Sequence, residues 1–212
     1  MRDIPVFTTQ NGVASLTLKQ IPYWGSAYIR IQDADSPEQL LQECVDFCRC
    51  VGADAIYATG HSNLEQYPLH SRVVCMRCQR ESIGDTEASL MPVLPETLEQ
   101  WRQIYNERMR AVPNAAYMTV VDAEEMLSKG NGYFIHKGDS LLGIGIAGGE
   151  QIDCVISTQK GAGADIVKAL CHALFCETIN LEVAMENTRA VRLYESLGFI
   201  ITREISAWYK IL

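Results

Sequence analysis

The alternation of apolar and polar residues in the N-terminal part of the chain predicts strands around one helix. Four segments have strand character, namely residues 14–21, 27–31, 55–59 and 72–79. Between them, apolar side chains recur at helical spacing from Ser36 to Gly52, and Gly52 is a typical helix terminator. Ser36 followed by Gln39 resembles a capping box. We therefore predict the order strand, strand, helix, strand, strand.

The pattern after a polar, glycine-containing segment at 81–86 predicts a second unit with more elements. It begins with a strand at 88–94 and a helix at 95–112, followed by a short helix after Asp122 in which Glu125 is the capping partner. Three antiparallel strands follow, at 132–138, 141–147 and 151–156, and the remainder reads helix, strand, helix, strand. We expect two domains, residues 1–84 and 85–212.

The composition narrows the class of protein. The chain has 212 residues, of which 48% are hydrophobic, enough for one large core or two modest ones. No apolar run approaches the roughly 20 residues of a membrane span, and the N-terminus has no signal-peptide character, so we expect a cytoplasmic protein without membrane contact. The net charge of −8 argues against nucleic acid as a partner and suits a cationic acceptor such as an amine.

The eight cysteines predict neither disulfides nor a metal site. Disulfide scaffolds are typical of much shorter secreted chains, so reduced thiols are expected here. Cys75 and Cys78 form a lone Cys-x-x-Cys pair, but on a strand their sulfurs point to opposite faces. No second cysteine pair or closely spaced histidines complete four zinc ligands. We therefore predict that the protein holds no metal.

Two glycine patterns suggest nucleotide binding, and only one has the right context. Gly143, Gly145 and Gly148 match the dinucleotide fingerprint in spacing, but they lie in a strand-like run with no helix after it, so a Rossmann domain is rejected. The segment 158–164 does follow a strand and does precede an amphipathic helix. Small residues and free amides at such a helix start are suited to a phosphate.

A short helix is predicted near the C-terminus, and Tyr194 lies on its apolar face. Asn187 or Thr188 can cap this helix and Gly198 ends it. Taken alone, the pattern is that of an amphipathic helix in which Tyr194 is an ordinary core aromatic. The longer string is more specific, because it combines Asn187, Arg189, Ala190, Leu193, Tyr194, Glu195, Gly198 and Phe199 after a Leu-Glu-Val strand.

Together, the glycine turn and the tyrosine helix resemble the acyl-coenzyme A site of the GNAT (GCN5-related) N-acetyltransferases. The resemblance covers residues 85–212 and is closest after Gln151. It implies an α/β (α+β) fold, the GNAT acyl-CoA N-acyltransferase fold, with a mixed central sheet flanked by helices. One departure is that Thr158 stands where the family has Arg or Gln, in a shorter loop. The N-terminal part would be an α/β extension that could be a degenerate half-GNAT repeat.

The resemblance implies transfer of an acetyl group from acetyl-CoA to a primary amine by direct attack. Tyr194 would be the acid that protonates the departing thiolate, and Asp153 the base, with Glu150 and His136 as alternatives. Asn187 would contact the pantetheine arm. The remaining residues assigned to the coenzyme are the backbone of Cys154, Val155 and Ile156 for the pantetheine and thioester, Thr158, Gln159, Lys160, Gly161, Ala162, Gly163 and Ala164 for the pyrophosphate, and Ala190 on the tyrosine helix.

Other functions are compatible with the same residues. One is a coenzyme A-binding sensor or interaction protein without catalysis, and another is transfer of a longer acyl group. The N-terminal extension could shape the acceptor side or form a homodimer interface. No second coenzyme site is expected in it, because Asp33 and Asp35 precede its helix and would repel phosphate.

Overall fold

The computed structural model describes residues 5–212, which form two compact units. The first unit contains the chain up to Val73 together with Glu204–Leu212, and the second contains Val74–Arg203. This division differs from the expected one at residue 84. The reason is that Val74 and the following strand residues pack in the core of the second unit, while the C-terminal residues pair with a strand of the first unit.

The first unit is a sheet with one long helix. Its elements are β1 (Val6–Thr9), β2 (Gly12–Thr17), α1 (Ile21–Trp24), β3 (Ser26–Ala34), α2 (Pro37–Cys50), β4 (Ala55–Thr59), a 3-10 turn at Ser62–Gln66, and parts of β5 (Leu69–Gln79) and β11 (Ile200–Lys210). The strand order is β1-β2-β3-β4-β11. β1, β2 and β3 are antiparallel, and β4 lies parallel to β3 after the crossover through α2.

The predicted helix of the first unit is confirmed as α2, but its predicted capping box is wrong. Ser36 is the N-cap residue, yet its side chain makes no capping hydrogen bond. The apolar face of α2 contributes Leu40, Leu41 and Cys44 to the core of this unit. Burial of this face, rather than a side-chain cap, accounts for the helix.

The second unit is a larger sheet with helices packed on it. Its elements are the rest of β5, a 3-10 turn at Arg80–Ser82, β6 (Ser89–Pro92), a 3-10 turn at Pro95–Thr97, α3 (Leu98–Met109), α4 (Val120–Lys129), β7 (Gly132–Lys137), β8 (Ser140–Gly148), β9 (Gln151–Ser157), α5 (Gly163–Ala173), β10 (Thr178–Ala184), α6 (Thr188–Ser196) and the start of β11. The strand order is β5-β10-β9-β8-β7-β6. The meander β7-β8-β9 is antiparallel, as predicted, and β10 is parallel to β9.

The N-cap residue of α4 is not the predicted one. Thr119, not Asp122, is the N-cap, and its hydroxyl accepts a hydrogen bond of 3.1 Å from the amide of Asp122. Asp122 is the reciprocal partner, because its carboxylate accepts from the Thr119 amide at 3.3 Å. A Thr-x-x-Asp pair can close such a box as well as the expected Asp-x-x-Glu pair.

The glycines of β8 allow helix α5 to pack closely on the sheet. A Cβ at Gly143 would lie 2.0 Å from the carbonyl oxygen of Ile156 and 2.7 Å from Ile166 Cδ1. A Cβ at Gly145 would lie 2.6 Å from Leu170 Cδ1. Both glycines lie inside the strand, with no helix following it, so the rejection of a dinucleotide fingerprint is confirmed.

The two units repeat one order of elements. In the first unit the antiparallel strands β1-β2-β3 lead through α2 to the parallel strand β4, and in the second unit β7-β8-β9 lead through α5 to β10. The first unit lacks a helix equivalent to α6, since only a short 3-10 turn separates β4 from β5. The N-terminal extension therefore has the topology of an incomplete copy of the second unit.

Within residues 5–212, the structure has neither a membrane-spanning helix nor a metal-binding cluster. The longest helix of this part, α2, has 14 residues, and none is long and apolar enough to cross a membrane. No group of three or more His, Cys, Asp or Glu side chains in this range could hold a metal ion. Cys78 packs in the same core cluster as Val74 and Met76, so by strand alternation Cys75 faces the other side.

Candidate functional site

A cleft of about 650 Å³ in the second unit brings together most of the residues predicted to bind the coenzyme. It lies between the end of β9, the turn before α5, the N-terminal turns of α6 and the end of α3. The predicted residues that line it are Val155, Ile156, Thr158, Gln159, Lys160, Gly161, Gly163, Ala164, Asn187, Ala190 and Tyr194. Two predicted residues, Cys154 and Ala162, are instead buried in the core behind it.

The cleft exists because β9 and β10 separate. Their parallel pairing has two residue pairs, the second of which joins Leu181 to Ile152. β8, in contrast, stays paired with β9 as far as Ser157. The C-terminal part of β9 therefore has backbone groups on its β10 side that pair with no neighbouring strand of the described chain. The equivalent strands of the first unit, β3 and β4, pair over all five residues of β4.

The turn before α5 is held in shape by its own side chains. The Thr158 hydroxyl donates to the carbonyl of Leu141 at 3.1 Å, and the Gln159 amide nitrogen donates to the same carbonyl at 2.8 Å. The Ser157 hydroxyl donates to the carbonyl of Gln159. Gly161 has a φ of +89°, which favours glycine. The Thr158 and Gln159 hydrogen bonds anchor the turn to β8, so these side-chain donors are already used and a ligand at the turn would meet mainly its backbone.

The start of α5 carries no side-chain cap. Its N-cap residue is Ala162, which has no side-chain acceptor, and the helix then begins with Gly163 and Ala164. The one acidic residue of the first turn, Asp165, accepts a hydrogen bond from Thr86 at 3.0 Å and does not line the cleft. The first amides of the helix therefore lack side-chain acceptors on the cleft side, and the positive end of the helix dipole favours an anion there.

Helix α6 places Tyr194 at the wall of the cleft. Asn187, one of the two predicted caps, is the N-cap of the helix. Its side-chain oxygen accepts a hydrogen bond of 3.3 Å from the amide of Ala190. Tyr194 is 7% exposed and packs on Phe199 with the ring centroids 5.8 Å apart. Burial is the main cause that raises the pKa of Tyr194, and the thiols of Cys154 and Cys171 raise it further. The phenol is therefore neutral at physiological pH and can donate a proton.

The candidate bases do not line the cleft. Asp153 is exposed at an irregularity of β9, where the β8 partners of Ile152 and Cys154 are adjacent and Asp153 itself is skipped. Glu150 lies in the β8–β9 turn and borders a different, polar pocket with Arg77. His136, on β7, is half-buried and close to Phe134. None of the three is brought next to Tyr194 within the cleft, and its lining contains no Asp, Glu or His side chain.

The structure adds lining residues that the sequence analysis did not assign. Arg108 and Met109 come from the end of α3 and Val112 from the segment after it, Ser157 is the last residue of β9, and Arg189 and Leu193 belong to α6. Arg189 and Leu193 belong to the quoted helix string and could have been assigned, because each immediately precedes an assigned residue, Ala190 and Tyr194 respectively. No sequence signal links α3 to the glycine turn, because the contact depends on how the helix packs.

The fold and the cleft define the class of protein. The second unit contains the antiparallel meander β7-β8-β9, the parallel crossover through α5, the separating strands β9 and β10, and helix α6 with Tyr194. This combination of elements is the GNAT acyltransferase fold. In a comparison with family models, residues 157–199 match the acetyltransferase (GNAT) family. That segment contains the glycine turn, α5, β10 and α6, so the resemblance inferred from the sequence is confirmed.

Solved structures support the same fold at low sequence identity. A GCN5-related N-acetyltransferase from Sphaerobacter thermophilus aligns with a TM-score of 0.61 and 11% identity over 93% of this chain and 75% of its own. A functionally unknown conserved protein from Staphylococcus epidermidis aligns with a TM-score of 0.63 and 11% identity over 98% of this chain and 93% of its own.

A tandem GNAT protein from the clavulanic acid biosynthesis pathway also aligns, with a TM-score of 0.53 and 10% identity over 94% of this chain and 78% of its own. This likeness agrees with the repeated element order of the two units. No curated protein sequence matches the chain.

Proposed function

We propose that the protein is an N-acetyltransferase that transfers an acetyl group from acetyl-CoA to a primary amine. The observation that carries this proposal is that one cleft contains the open edge of β9, the uncapped start of α5 and Tyr194. Each of the three matches a different part of an acyl-CoA thioester: an amide-bearing arm, a pyrophosphate and a sulfur.

The residues of the cleft fit the coenzyme as follows. The unpaired backbone groups of β9 from Cys154 to Ile156 would hold the pantetheine amides as a short additional strand. The backbone amides of the turn 158–164 and of the first turn of α5 would hold the pyrophosphate. Asn187 and Ala190 border the arm where it passes α6. When bound, the coenzyme supplies an activated acetyl thioester.

Tyr194 is the proposed general acid. Its hydroxyl makes no hydrogen bond to another residue of the described range 5–212, and the side chain lines the cleft, so the hydroxyl has a donor available for a ligand. Its raised pKa keeps the hydroxyl protonated, so that it can donate this proton to the thiolate as it leaves. A backbone amide of β9 would polarise the thioester carbonyl, which is the other requirement of acyl transfer.

Asp153 is the proposed base, acting on the amine through a water molecule. It lies on β9 directly before the splayed residues but is exposed and outside the cleft lining. Through one water molecule, its carboxylate would take the proton that the neutral amine loses as it attacks the thioester. Because no acid or imidazole lines the cleft itself, the amine would have to arrive largely unprotonated, and the rate should rise with pH up to the pKa of the acceptor.

The absence of an acid or imidazole from the cleft lining favours a second candidate function, that of a coenzyme A-binding protein without catalytic activity. Tests of binding and of turnover separate the two. The binding test is calorimetry with coenzyme A, and the turnover test is release of free thiol from acetyl-CoA with a panel of small amines, amino acids, polyamines and peptides. Substitution of longer acyl-CoA donors in the second test would show a preference for chain length.

Tyr194→Phe is the decisive variant, with Tyr133→Phe as its control. Tyr133 is a half-buried tyrosine packed against the same core, and it does not line the cleft. We expect Tyr194→Phe to lower kcat by about 10²-fold, with coenzyme A affinity unchanged, and Tyr133→Phe to leave both unchanged. Binding without turnover on any acceptor, with no effect of Tyr194→Phe, would instead establish the non-catalytic function.

A further inference from the structure

The end of α3 supplies an arginine to the coenzyme cleft from outside the segment that matches the family. Arg108 lies in the last turn of α3 and lines the cleft, whereas the family match covers residues 157–199. Its side chain is exposed, and it forms no ion pair with a residue of the described range. Met109, the next residue, lines the same cleft, so the last turn of α3 is part of its wall.

Three cations from three elements converge on this cleft without an acid among them. Lys160 comes from the glycine turn, Arg189 from the first turn of α6 and Arg108 from α3, and none of them pairs with a carboxylate of the described residues. Like charges that share a cleft repel each other unless an anion lies between them. The arrangement is conspicuous in a chain whose net charge is −8. It is the expected surrounding of a ligand with several phosphates.

A positive charge at the end of a helix has another possible use, because it complements the negative end of the helix dipole. That explanation applies equally to Arg108 and Arg110, which are both exposed and lie at the end of α3. Only Arg108 lines the cleft. The dipole therefore accounts for an arginine in this turn but not for its placement at the cleft, and Arg110 provides a matched control.

We propose that Arg108 is a coenzyme-binding residue that contacts a phosphate group of the acyl donor. The proposal rests on the proposed function, because it assumes that the cleft takes a coenzyme A thioester. A guanidinium can give a phosphate two parallel hydrogen bonds, which a lysine cannot. The donor would then be held by α3 as well as by the glycine turn and α6.

The competing source of an anion is a carboxylate on the acceptor. The two sources are distinguished by measuring donor binding in the absence of any acceptor. Isothermal titration calorimetry with coenzyme A and with 3′-dephospho-coenzyme A, on the wild type, Arg108→Gln, Arg108→Lys and Arg110→Gln, gives the dissociation constants directly. Circular dichroism and thermal unfolding of each variant verify that the exposed substitutions leave the fold intact.

We expect Arg108→Gln to weaken coenzyme A binding by about ten-fold at low salt, as for loss of one charge-assisted contact. Arg108→Lys should lose less, and Arg110→Gln should bind as the wild type. The affinity of Arg108→Gln should also depend less steeply on salt concentration, because one screened ion contact is gone. A loss seen with coenzyme A but not with the 3′-dephospho form assigns the contact to the 3′-phosphate, and a loss with both assigns it to the pyrophosphate.

The proposal is overturned if Arg108→Gln and Arg110→Gln bind coenzyme A equally well. It is also overturned if Arg108→Gln leaves the dissociation constant of coenzyme A unchanged and raises only the KM of the acceptor. Failure of the wild type to bind coenzyme A at all would overturn the proposed function itself, and this proposal with it. The wild-type titration therefore separates the two failures before any variant is compared.

Discussion

Leu193 of α6 packs directly on Gly163, the first residue of α5, so that a Cβ at position 163 would lie 2.8 Å from Leu193 Cδ2. Both residues line the cleft described above. The contact joins the glycine turn to the tyrosine helix, which are separate motifs in the sequence. The absence of a side chain at position 163 therefore allows the two elements to pack closely, and the same glycine belongs to the proposed phosphate-binding turn.

The first prediction concerns Gly163→Ala. The new methyl group would displace Leu193, whose half-buried end can rotate, so we expect a loss of at most about 1 kcal/mol in the free energy of unfolding. The displaced side chain enters the cleft, and coenzyme A affinity should fall by about five-fold, which is about 1 kcal/mol. Calorimetry on Gly163→Ala, Leu193→Ala and the double variant checks this. Purely additive effects of the two substitutions on affinity would contradict the packing explanation.

The second prediction compares two glycines of the same strand. Gly143→Ala places a methyl group 2.0 Å from a backbone oxygen of β9, which cannot move without breaking the β8–β9 pairing. We expect it to reduce the free energy of unfolding by roughly 3 kcal/mol. At Gly148 the nearest atom would be Asn131 Cβ at 3.4 Å, an ordinary contact, so Gly148→Ala should be nearly neutral. Urea unfolding followed by tryptophan fluorescence measures both, and similar losses would refute the argument.

The third prediction compares two helix caps. Thr119→Ala removes the hydroxyl that accepts from the Asp122 amide and should destabilise by about 1 kcal/mol. Ser36→Ala removes a hydroxyl that makes no capping hydrogen bond, so its effect should be close to zero. Hydrogen exchange at the first turns of α4 and α2 reports on each helix separately. Faster exchange at α2 in Ser36→Ala, as large as at α4 in Thr119→Ala, would show that Ser36 does cap its helix.

The fourth prediction concerns the reactivity of the thiols. Burial raises the pKa of Cys44 to about 12 and that of Cys48 to about 11, while Cys50 is exposed. The thiolate is the reactive form, so a raised pKa keeps Cys44 and Cys48 protonated and unreactive at pH 8. We expect a brief treatment of the native protein with iodoacetamide at pH 8 to label Cys50 first, and unfolding to expose all eight cysteines. Peptide mass spectrometry identifies the sites; labelling of Cys44 as fast as Cys50 would disprove the protection.

Local patterns were sufficient for the elements that carry their own signals. The helical periodicity of α2, the glycine-marked hairpins of the meander and the start of α5 after a strand were all predicted correctly. Such features depend on neighbours three or four residues away, which the sequence displays directly. Capping was less predictable, because both Thr119 and Asp122 are good caps and the choice between them depends on where the helix packs.

Two features of the candidate site could not be predicted from local sequence patterns. Asp153 was predicted to be the base, but it lies at an irregularity in the β8–β9 register, is exposed and does not line the cleft. Arg108 had no signal at all, because it is separated from the glycine turn by many residues and three strands. Register shifts and helix packing are long-range outcomes, and a single residue of displacement turns a side chain to another face.

The sequence by itself determined which segments form strands and helices and which of them resemble an acyl-coenzyme A site. It did so because backbone conformation and side-chain periodicity are local properties. Only the tertiary structure decided that β9 and β10 separate after two residue pairs, that the equivalent strands β3 and β4 do not, and that Arg108 faces the resulting cleft. Those outcomes depend on how distant segments pair and pack, which no local pattern records.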